Sequence, residues 1–444
     1  MASAETIAAI ATAAGRAGIG VVRVSGERLE PLVQALLGDV PAPRTAVLRR
    51  FRDAAGETID QGIALYFAAP HSYTGENVLE LHGHGGNAVL QMLLRRCLEL
   101  GARLATPGEF TQRAFANDKL DLAQAEAVAE LIDASSARAA RCALRTLTGE
   151  FSRAVDKLMK GIVELRAQAE ATLDFPDEEI DLLSAANARA GAEELVSRLD
   201  EVLAASRRGS LLREGIHVVL AGRPNVGKSS LLNRLAGEDL AIVTEQPGTT
   251  RDPVRQAIDI HGISVQFTDT AGLREPADQV EKLGIDKALD AISRADVVLL
   301  VEDAAATVTE HPVLSGLPAD GAKLTVRNKI DLTCHPPGLQ ENGKSAEVNV
   351  SAFSGAGIDV LREQILRLAG WQTNEEGAFM ARERHLRALE QARAHLLRAQ
   401  TQAERFELFA EELRLAHGRL MEISGQFTSE DVLGEIFSRF CIGK

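Results

Sequence analysis

Residues 216–229 read Ile216-His217-Val218-Val219-Leu220-Ala221-Gly222-Arg223-Pro224-Asn225-Val226-Gly227-Lys228-Ser229. The first six are a short, mostly β-branched run of the kind that fills a buried strand, and Ser229 to Leu235, closed by Gly237, reads as a helix. Between them, Gly222-Arg-Pro-Asn-Val-Gly-Lys-Ser229 matches a phosphate-binding loop in the order strand, glycine loop, helix. Gly222 and Gly227 permit the tight turn that points backbone N–H groups at phosphate oxygens, and the helix N-terminus adds positive potential. Lys228 would bridge the β- and γ-phosphates and Ser229 would hold magnesium, with Asn225, Val226, Gly227 and Ser230 completing the loop's contacts.

Four further motifs follow in order. Gly248-Thr249-Thr250-Arg251-Asp252 offers a threonine hydroxyl, Thr250, for magnesium. Asp269-Thr270-Ala271-Gly272, after the strand-like Ser264–Thr268, places Asp269 in the magnesium shell and Gly272 against the γ-phosphate. Asn328-Lys329-Ile330-Asp331, after Leu324-Thr325-Val326, supplies a carboxylate for the ring N–H and exocyclic amine of guanine, groups that adenine lacks at those positions. Val350-Ser351-Ala352 offers backbone amides to the guanine oxygen. Each motif is weak alone, but this order within one α/β segment implies a GTP-binding domain of doubly wound type, a parallel sheet flanked by helices with ligand contacts at the strand ends.

Working outward, the 444 residues suffice for about three domains. A hydrophobic share of 45% with 25% charged residues is that of a soluble globular chain. No run of eighteen apolar residues and no basic, apolar leader is found, so the expected location is cytoplasmic, without a membrane partner. The net charge of −14 argues against a surface that is basic throughout, so any RNA contact must be local or delivered by a partner. Cys97, Cys142, Cys334 and Cys441 lack metal or disulfide spacing, and His82 and His84 have no accompanying ligand set. Residues 1–118 alternate β-rich runs with glycine turns and one evident helix from Ala88 to Leu100, the texture of an α+β domain. Residues 119–214 and 373–444 are helical in pattern, and the GTP-binding segment 215–372 lies between them. That arrangement reads as a GTPase domain inserted into one helical domain, with a separate C-terminal bundle as the alternative.

The phosphate loop, Ala241-Ile242-Val243-Thr244 leading into Gly-Thr-Thr-Arg-Asp, Asp-Thr-Ala-Gly-Leu-Arg-Glu (269–275) and the terminal Phe440-Cys441-Ile442-Gly443-Lys444 together resemble the tRNA modification GTPases of the TrmE (MnmE) family. Gly15-Arg-Ala-Gly-Ile-Gly20, Ser72-Tyr-Thr-Gly-Glu76, Gly83-His-Gly-Gly86 and Asn117-Asp-Lys-Leu-Asp-Leu122 extend the resemblance along the whole chain. It implies an N-terminal folate-binding-like domain that joins a homodimer. It also implies a Ras-like P-loop GTPase domain, and a flavin-dependent partner (MnmG, also called GidA) with which a carboxymethylaminomethyl or aminomethyl group is added at carbon 5 of the wobble uridine of certain tRNAs. By the same resemblance Arg23, Glu80, Lys119 and Lys444 contact 5-formyltetrahydrofolate or a related one-carbon donor, although Arg23 and Glu80 also suit a plain cross-strand ion pair.

Many switch GTPases carry a water-orienting glutamine after Asp-x-x-Gly. Here that position is Leu273. Glu281 is the family-matched group for placing the attacking water. The resemblance implies that a potassium ion, held by Asn225, Thr244, Gln246 and Thr249 and completed when two GTPase domains meet, takes the place of an arginine finger; Arg274 is the alternative. The loop contributing to GTP contact is Thr244, Glu245, Gln246, Pro247, Gly248, Thr249 and Thr250, and its Glu-Gln-Pro departs from the usual Asp-Ile-Ala of relatives, as Glu302-Asp303 departs from Val-Asp. The C-terminal tail, with Phe440 and Ile442 as apolar anchors, is expected to dock at the N-terminal domain and bring Cys441 near the one-carbon group, where its thiol is either reactive or simply buried.

Overall fold

A computed structural model describes residues 5–174, 183–237, 255–269, 292, 295–306, 322–342, 345–371, 377–425, 430–438, 440 and 442–443. The chain divides into two compact units. One comprises residues 1–129, 147–195 and 391–444, and the other residues 130–146 and 196–390.

The first unit begins with β1 (Ile7–Ile10), β2 (Ala17–Gly26), α1 (Glu30–Leu37), β3 (Val47–Arg52), β4 (Thr58–Phe67), β5 (Asn77–Gly85), α2 (Asn87–Glu99), β6 (Arg103–Leu104) and α3 (Glu109–Ala116). The strands form one sheet in the order β3-β4-β5-β2-β1-β6, antiparallel except where β6 joins β1. Alternation along β2 sends Val22 and Val24 into the core and leaves Arg23 on the other face. Leu90, Leu93, Leu94 and Cys97 of α2 recur at helical spacing and join Val22, Val24, Leu79 and Leu81 in that core. Each such side chain, fully buried, contributes about 1.5–3 kcal/mol. Where the sequence makes one helix evident, the structure has three. α1 and α3 are 8 residues each, about two turns, too short for their periodicity to stand out.

Beneath this sheet sits a buried polar network. Arg113 donates to Glu76 Oε2 at 2.9 Å, to Glu109 Oε1 at 2.9 Å and to the Glu5 carbonyl at 2.8 Å. Ser25 Oγ donates to Glu76 Oε2 at 2.7 Å, and Arg103 donates to both Glu109 oxygens, at 2.7 and 2.8 Å. Burial alone would raise the Glu109 carboxyl, but hydrogen bonds from Arg103, the Thr106 amide and Arg113 outweigh it and bring its pKa down to about 2. A carboxylate lowered in the folded state stabilises it above its ordinary pKa, and that contribution is lost as pH falls toward the folded value. Glu109→Gln is therefore expected to destabilise this unit by about 1.5–3 kcal/mol at neutral pH. The gap to the unsubstituted protein should narrow between pH ~4.5 and pH ~2, as read by urea denaturation followed by circular dichroism.

Helices α4 (Leu122–Asp133), α5 (Ala137–Leu147), α6 (Glu150–Asp174) and α7 (Ala185–Glu214) follow. After them come β7 (Ile216–Ala221), α8 (Lys228–Ala236), β8 (Arg255–Ile260), β9 (Ile263–Asp269), β10 (Val297–Asp303), β11 (Lys323–Asn328), β12 (Gly338–Asn342), β13 (Ser345–Asn349) and α9 (Ile358–Leu368). The chain closes with α10 (Glu383–Thr401), α11 (Phe406–Ser424) and α12 (Glu430–Ser438). In the first unit α6 and α11 pack lengthwise, with Phe151, Val155, Leu158, Ile162, Leu165 and Ala169 of α6 and Phe409, Leu413, Ala416, Leu420 and Ile423 of α11 buried at three- and four-residue steps.

The second unit is built on a sheet in the order β12-β13-β11-β10-β7-β9-β8, parallel through its centre and antiparallel only at its two edge pairs. Its strands read as near-continuous apolar runs because both faces are covered: on one, Val218, Leu220, Phe267, Leu299 and Val326 share a core with Leu231 and Leu235 of α8, Leu361 and Ile365 of α9, and Ala139 and Ala143 of α5, and on the other Val219, Ala221, Val298 and Leu300 pack with Ile292. Ser136 Oγ, just before α5, donates to the Gly262 carbonyl between β8 and β9 at 2.7 Å. Among the described residues no helix is long and apolar enough to cross a membrane.

Candidate nucleotide site and N-terminal polar cluster

The ends of β7, β10 and β11 meet at the loop 222–228, in the parallel heart of the second sheet. The loop takes left-handed backbone at Asn225 (φ +64°) and Gly227 (φ +92°). A methyl group added at Gly227 would run into Asn328 Nδ2, so glycine is required there by close approach as well as by φ. Lys228 is buried, and its ammonium donates to the carbonyls of Gly222 at 2.8 Å and Arg223 at 3.1 Å. Ser229, Ser230 and Asn225 are exposed and Val226 is buried.

Asn328 ties the two halves of the site together. Its Nδ2 donates to the Val226 carbonyl at 3.0 Å, and its Oδ1 accepts from the Ala352 amide at 3.0 Å. Lys329, in left-handed conformation (φ +67°), donates to the Asn225 carbonyl and to Asp303 Oδ2, each at 2.8 Å. That hydrogen bond from Lys329 holds the Asp303 carboxyl below its ordinary pKa. Asp303, named in the sequence only beside the departing Glu302, thus anchors Lys329, two residues before Asp331. Ser351 Oγ donates to Asp331 Oδ1 at 2.5 Å, fixing that carboxylate. Gly227, Ser230, Asn328, Lys329, Asp331 and Ala352 border a single cavity of about 660 Å³, completed by Asn233, Arg234, Gly237 and Phe353.

The amides of Ser351 and Ala352, read as donors to the guanine oxygen, donate within the protein in this structure: Ser351 N–H to the Ala356 carbonyl at 2.9 Å and Ala352 N–H to Asn328 Oδ1 at 3.0 Å. The turn that brings Ser351 onto Asp331 uses those amides to close itself. Arg234 and Phe353 carry no motif in the sequence, yet Arg234 donates to the carbonyls of Ala352 (2.9 Å) and Phe353 and so joins α8 to this turn. Thr244, Glu245, Gln246, Pro247, Gly248, Thr249, Thr250, Thr270, Ala271, Gly272 and Glu281 lie outside the described residues, as do Cys441 and Lys444; Asp269 is described as the last residue of β9.

The first unit carries a second cluster. Arg23 and Glu80 face each other in register across β2 and β5 and pair at 2.9 Å. Glu80 Oε2 lies 3.2 Å from His82 Nε2, and the Arg23 guanidinium sits 5.7 Å from the ring centres of both Tyr73 and Phe110. Arg23 also donates to the Gly443 carbonyl at 3.3 Å. Lys119 donates to the Pro70 carbonyl at 3.0 Å. The tail is anchored differently from the expectation. Phe440 is buried with Phe437, Ile436 and Leu122, but Ile442 is 58% exposed, and the contact at this point is made by Gly443. Burial pushes the thiols of Cys97 and Cys142 up to about 12, which leaves them unreactive.

A parallel sheet with a phosphate loop at its strand ends, an Asn-Lys-x-Asp carboxylate bordering the adjoining cavity and an amide clamp between the two define a P-loop GTPase. A profile described as "MnmE helical domain" matches residues 122–441, and one described as "GTP-binding protein TrmE N-terminus" matches residues 6–119. The tRNA modification GTPase MnmE of Nitrosomonas europaea is 58% identical over 451 residues, covering 100% of both chains. Its counterpart from Nitrosomonas eutropha is 58% identical over 447 residues (99% of each), and that of Thiobacillus denitrificans 58% identical over 442 residues (99% of this chain, 98% of the relative). The chain belongs to the MnmE family of tRNA modification GTPases.

Proposed function

We propose that this protein couples GTP hydrolysis to modification of the wobble uridine of certain tRNAs at carbon 5, acting with a flavin-dependent partner of the MnmG (GidA) type and a tetrahydrofolate-derived one-carbon donor. The observation that carries the nucleotide half is the Asp331 carboxylate, held by Ser351 and bordering the same cavity as the phosphate loop. Membership of the MnmE family supports the tRNA half. The proposed organisation is an N-terminal α+β dimerisation domain (1–118), a helical domain (119–214 and 373–444) and a GTPase domain (215–372) inserted into it, working as a homodimer.

Ser229 and Asn225 stand exposed at the phosphate loop, a hydroxyl and an amide oxygen of the hard type that magnesium and potassium prefer. Ser229 and Thr250 are the proposed magnesium contacts, and Asn225, Thr244, Gln246 and Thr249 the potassium contacts. Both ions, when bound, supply neutralisation of the charge that spreads over the phosphoryl oxygens. Lys228 orients the β- and γ-phosphates, Asp331 reads guanine, and Glu281 places the attacking water in a chain whose Leu273 cannot. In the first unit, Arg23 and Glu80 present a donor beside an acceptor on one sheet face, a set suited to the amide and amine edge of a pterin. Lys119 and Lys444 are the remaining proposed folate contacts, and Cys441 is the proposed thiol near the one-carbon unit.

Two measurements test this reading. GTP hydrolysis should be much faster in potassium than in sodium, and ATP should be a poor substrate. Glu281→Ala should lower kcat by about 30- to 1,000-fold, or ~2–4 kcal/mol of barrier, with GTP binding nearly intact. Equal rates in the two salts, or weakened binding in the variant, would count against the catalytic assignment. Mass spectrometry of tRNA from cells lacking the gene should find unmodified wobble uridines, and full modification there would remove the tRNA assignment.

A further inference from the structure

The cavity beside Asp331 is bordered by one aromatic side chain whose exposure the fold does not account for. Phe353 is 84% exposed, the highest value among the large hydrophobic residues described. Its backbone is nonetheless firmly held. The Phe353 carbonyl accepts from Arg234, the preceding Ala352 is bonded through its amide to Asn328 (3.0 Å) and through its carbonyl to Arg234 (2.9 Å), and the Ser354 amide donates to Ser351 Oγ (3.1 Å). An apolar ring on a pinned turn at the rim of a polar cavity is positioned for a ligand rather than for the core.

A purine offers an edge that hydrogen-bonds and two faces that do not. The edge is matched by Asp331. For the faces, the cavity is otherwise bordered by glycine, small polar residues, Arg234, Ala352 and the stem of Lys329, whose charged end is already spent on Asn225 and Asp303. Among the described residues bordering it, Phe353 is the one aromatic. We propose that Phe353 packs against the purine ring of bound GTP and GDP and thereby sets how long the nucleotide stays bound. The assignment rests on the GTP reading above and deepens it by separating retention from recognition. An aromatic face is indifferent to the hydrogen-bonding pattern of the base, so Phe353 raises affinity for purine nucleotides alike, while discrimination remains with Asp331.

The test is the dissociation rate of GDP and of IDP, which lacks the exocyclic amine, from the full-length protein and from Phe353→Ala, Phe353→Tyr and Phe353→Trp. Phe353→Ala should release both nucleotides about 10-fold faster and by the same factor, and the two aromatic replacements should restore slow release. Unchanged release from Phe353→Ala overturns the proposal. So does a loss confined to GDP, which would make the residue part of base discrimination, and so does a loss that neither aromatic replacement restores, which would make it a packing element of the turn. Failure of the underlying reading has a different signature: an unsubstituted protein that does not retain GDP, or retains ADP equally well.

Discussion

Asp331→Asn is expected to turn a guanine site into a xanthine site. Two charge-assisted hydrogen bonds from guanine to the carboxylate, each of about 1.5–3 kcal/mol, are lost, so GTP affinity should fall by roughly 10²- to 10⁴-fold. Xanthine carries a carbonyl where guanine has its amine, and the new side-chain amide can donate to it. Ser351 favours this orientation, because its hydroxyl, 2.5 Å from Asp331 Oδ1, can keep donating to an amide oxygen and leave the NH₂ turned toward the ligand. Titration of both proteins with GTP and XTP measures the switch directly. A variant that keeps its GTP affinity and gains none for XTP would show that Asp331 does not touch the base.

Loss of the C-terminal tail should abolish tRNA modification while GTP hydrolysis persists. Gly443 adopts φ +98°, a side-chain carbon added there would lie 2.5 Å from the Ile10 carbonyl oxygen and 3.0 Å from Ala11 Cα, and its own carbonyl accepts from Arg23. Any larger residue is therefore both strained and blocked. Gly443→Val should displace the tail as effectively as deleting residues 441–444, removing wobble-uridine modification in vivo and weakening 5-formyltetrahydrofolate binding measured by calorimetry. Cys441→Ser separates a reactive thiol from a mere anchor: modification is lost with a normal rate of GTP hydrolysis if the thiol acts, and is retained if it only packs. Full modification in the deletion strain would refute the role of the tail.

The nucleotide site was largely legible in the sequence because its parts are local. A phosphate loop is a contiguous backbone shape with its own glycines, and Asn328 and Asp331 stand at the end of an apolar run that can only be a buried strand. At Ser351 the sequence offered the amide, and the structure adds what spacing does not show: the amide closes a turn while the hydroxyl donates to Asp331. Asp303, Arg234 and Phe353 were not found as site residues, since each acquires its position through partners 26, 118 or more residues away, or through none that sequence spacing reveals.

The same division runs through the first unit. β-rich runs between glycine turns were enough to assign an α+β domain and to put Arg23 and Glu80 on strands, because β-branched and apolar runs of that length are local signals. The Glu76–Arg113–Glu109 network and the bond between Arg23 and Gly443, 420 residues apart, have no periodic signature. Sequence by itself determined the longer elements, their order and the chemistry of the phosphate loop, which depend on backbone stereochemistry and on apolar spacing within a few turns. Tertiary structure alone decided that Gly443 rather than Ile442 seats the tail, that the Ser351 hydroxyl holds the Asp331 carboxylate, and that Phe353 borders the same cavity as Asp331. These outcomes turn on which surfaces meet after collapse, where a single carbon at Gly443 or Gly227 is the difference between contact and clash.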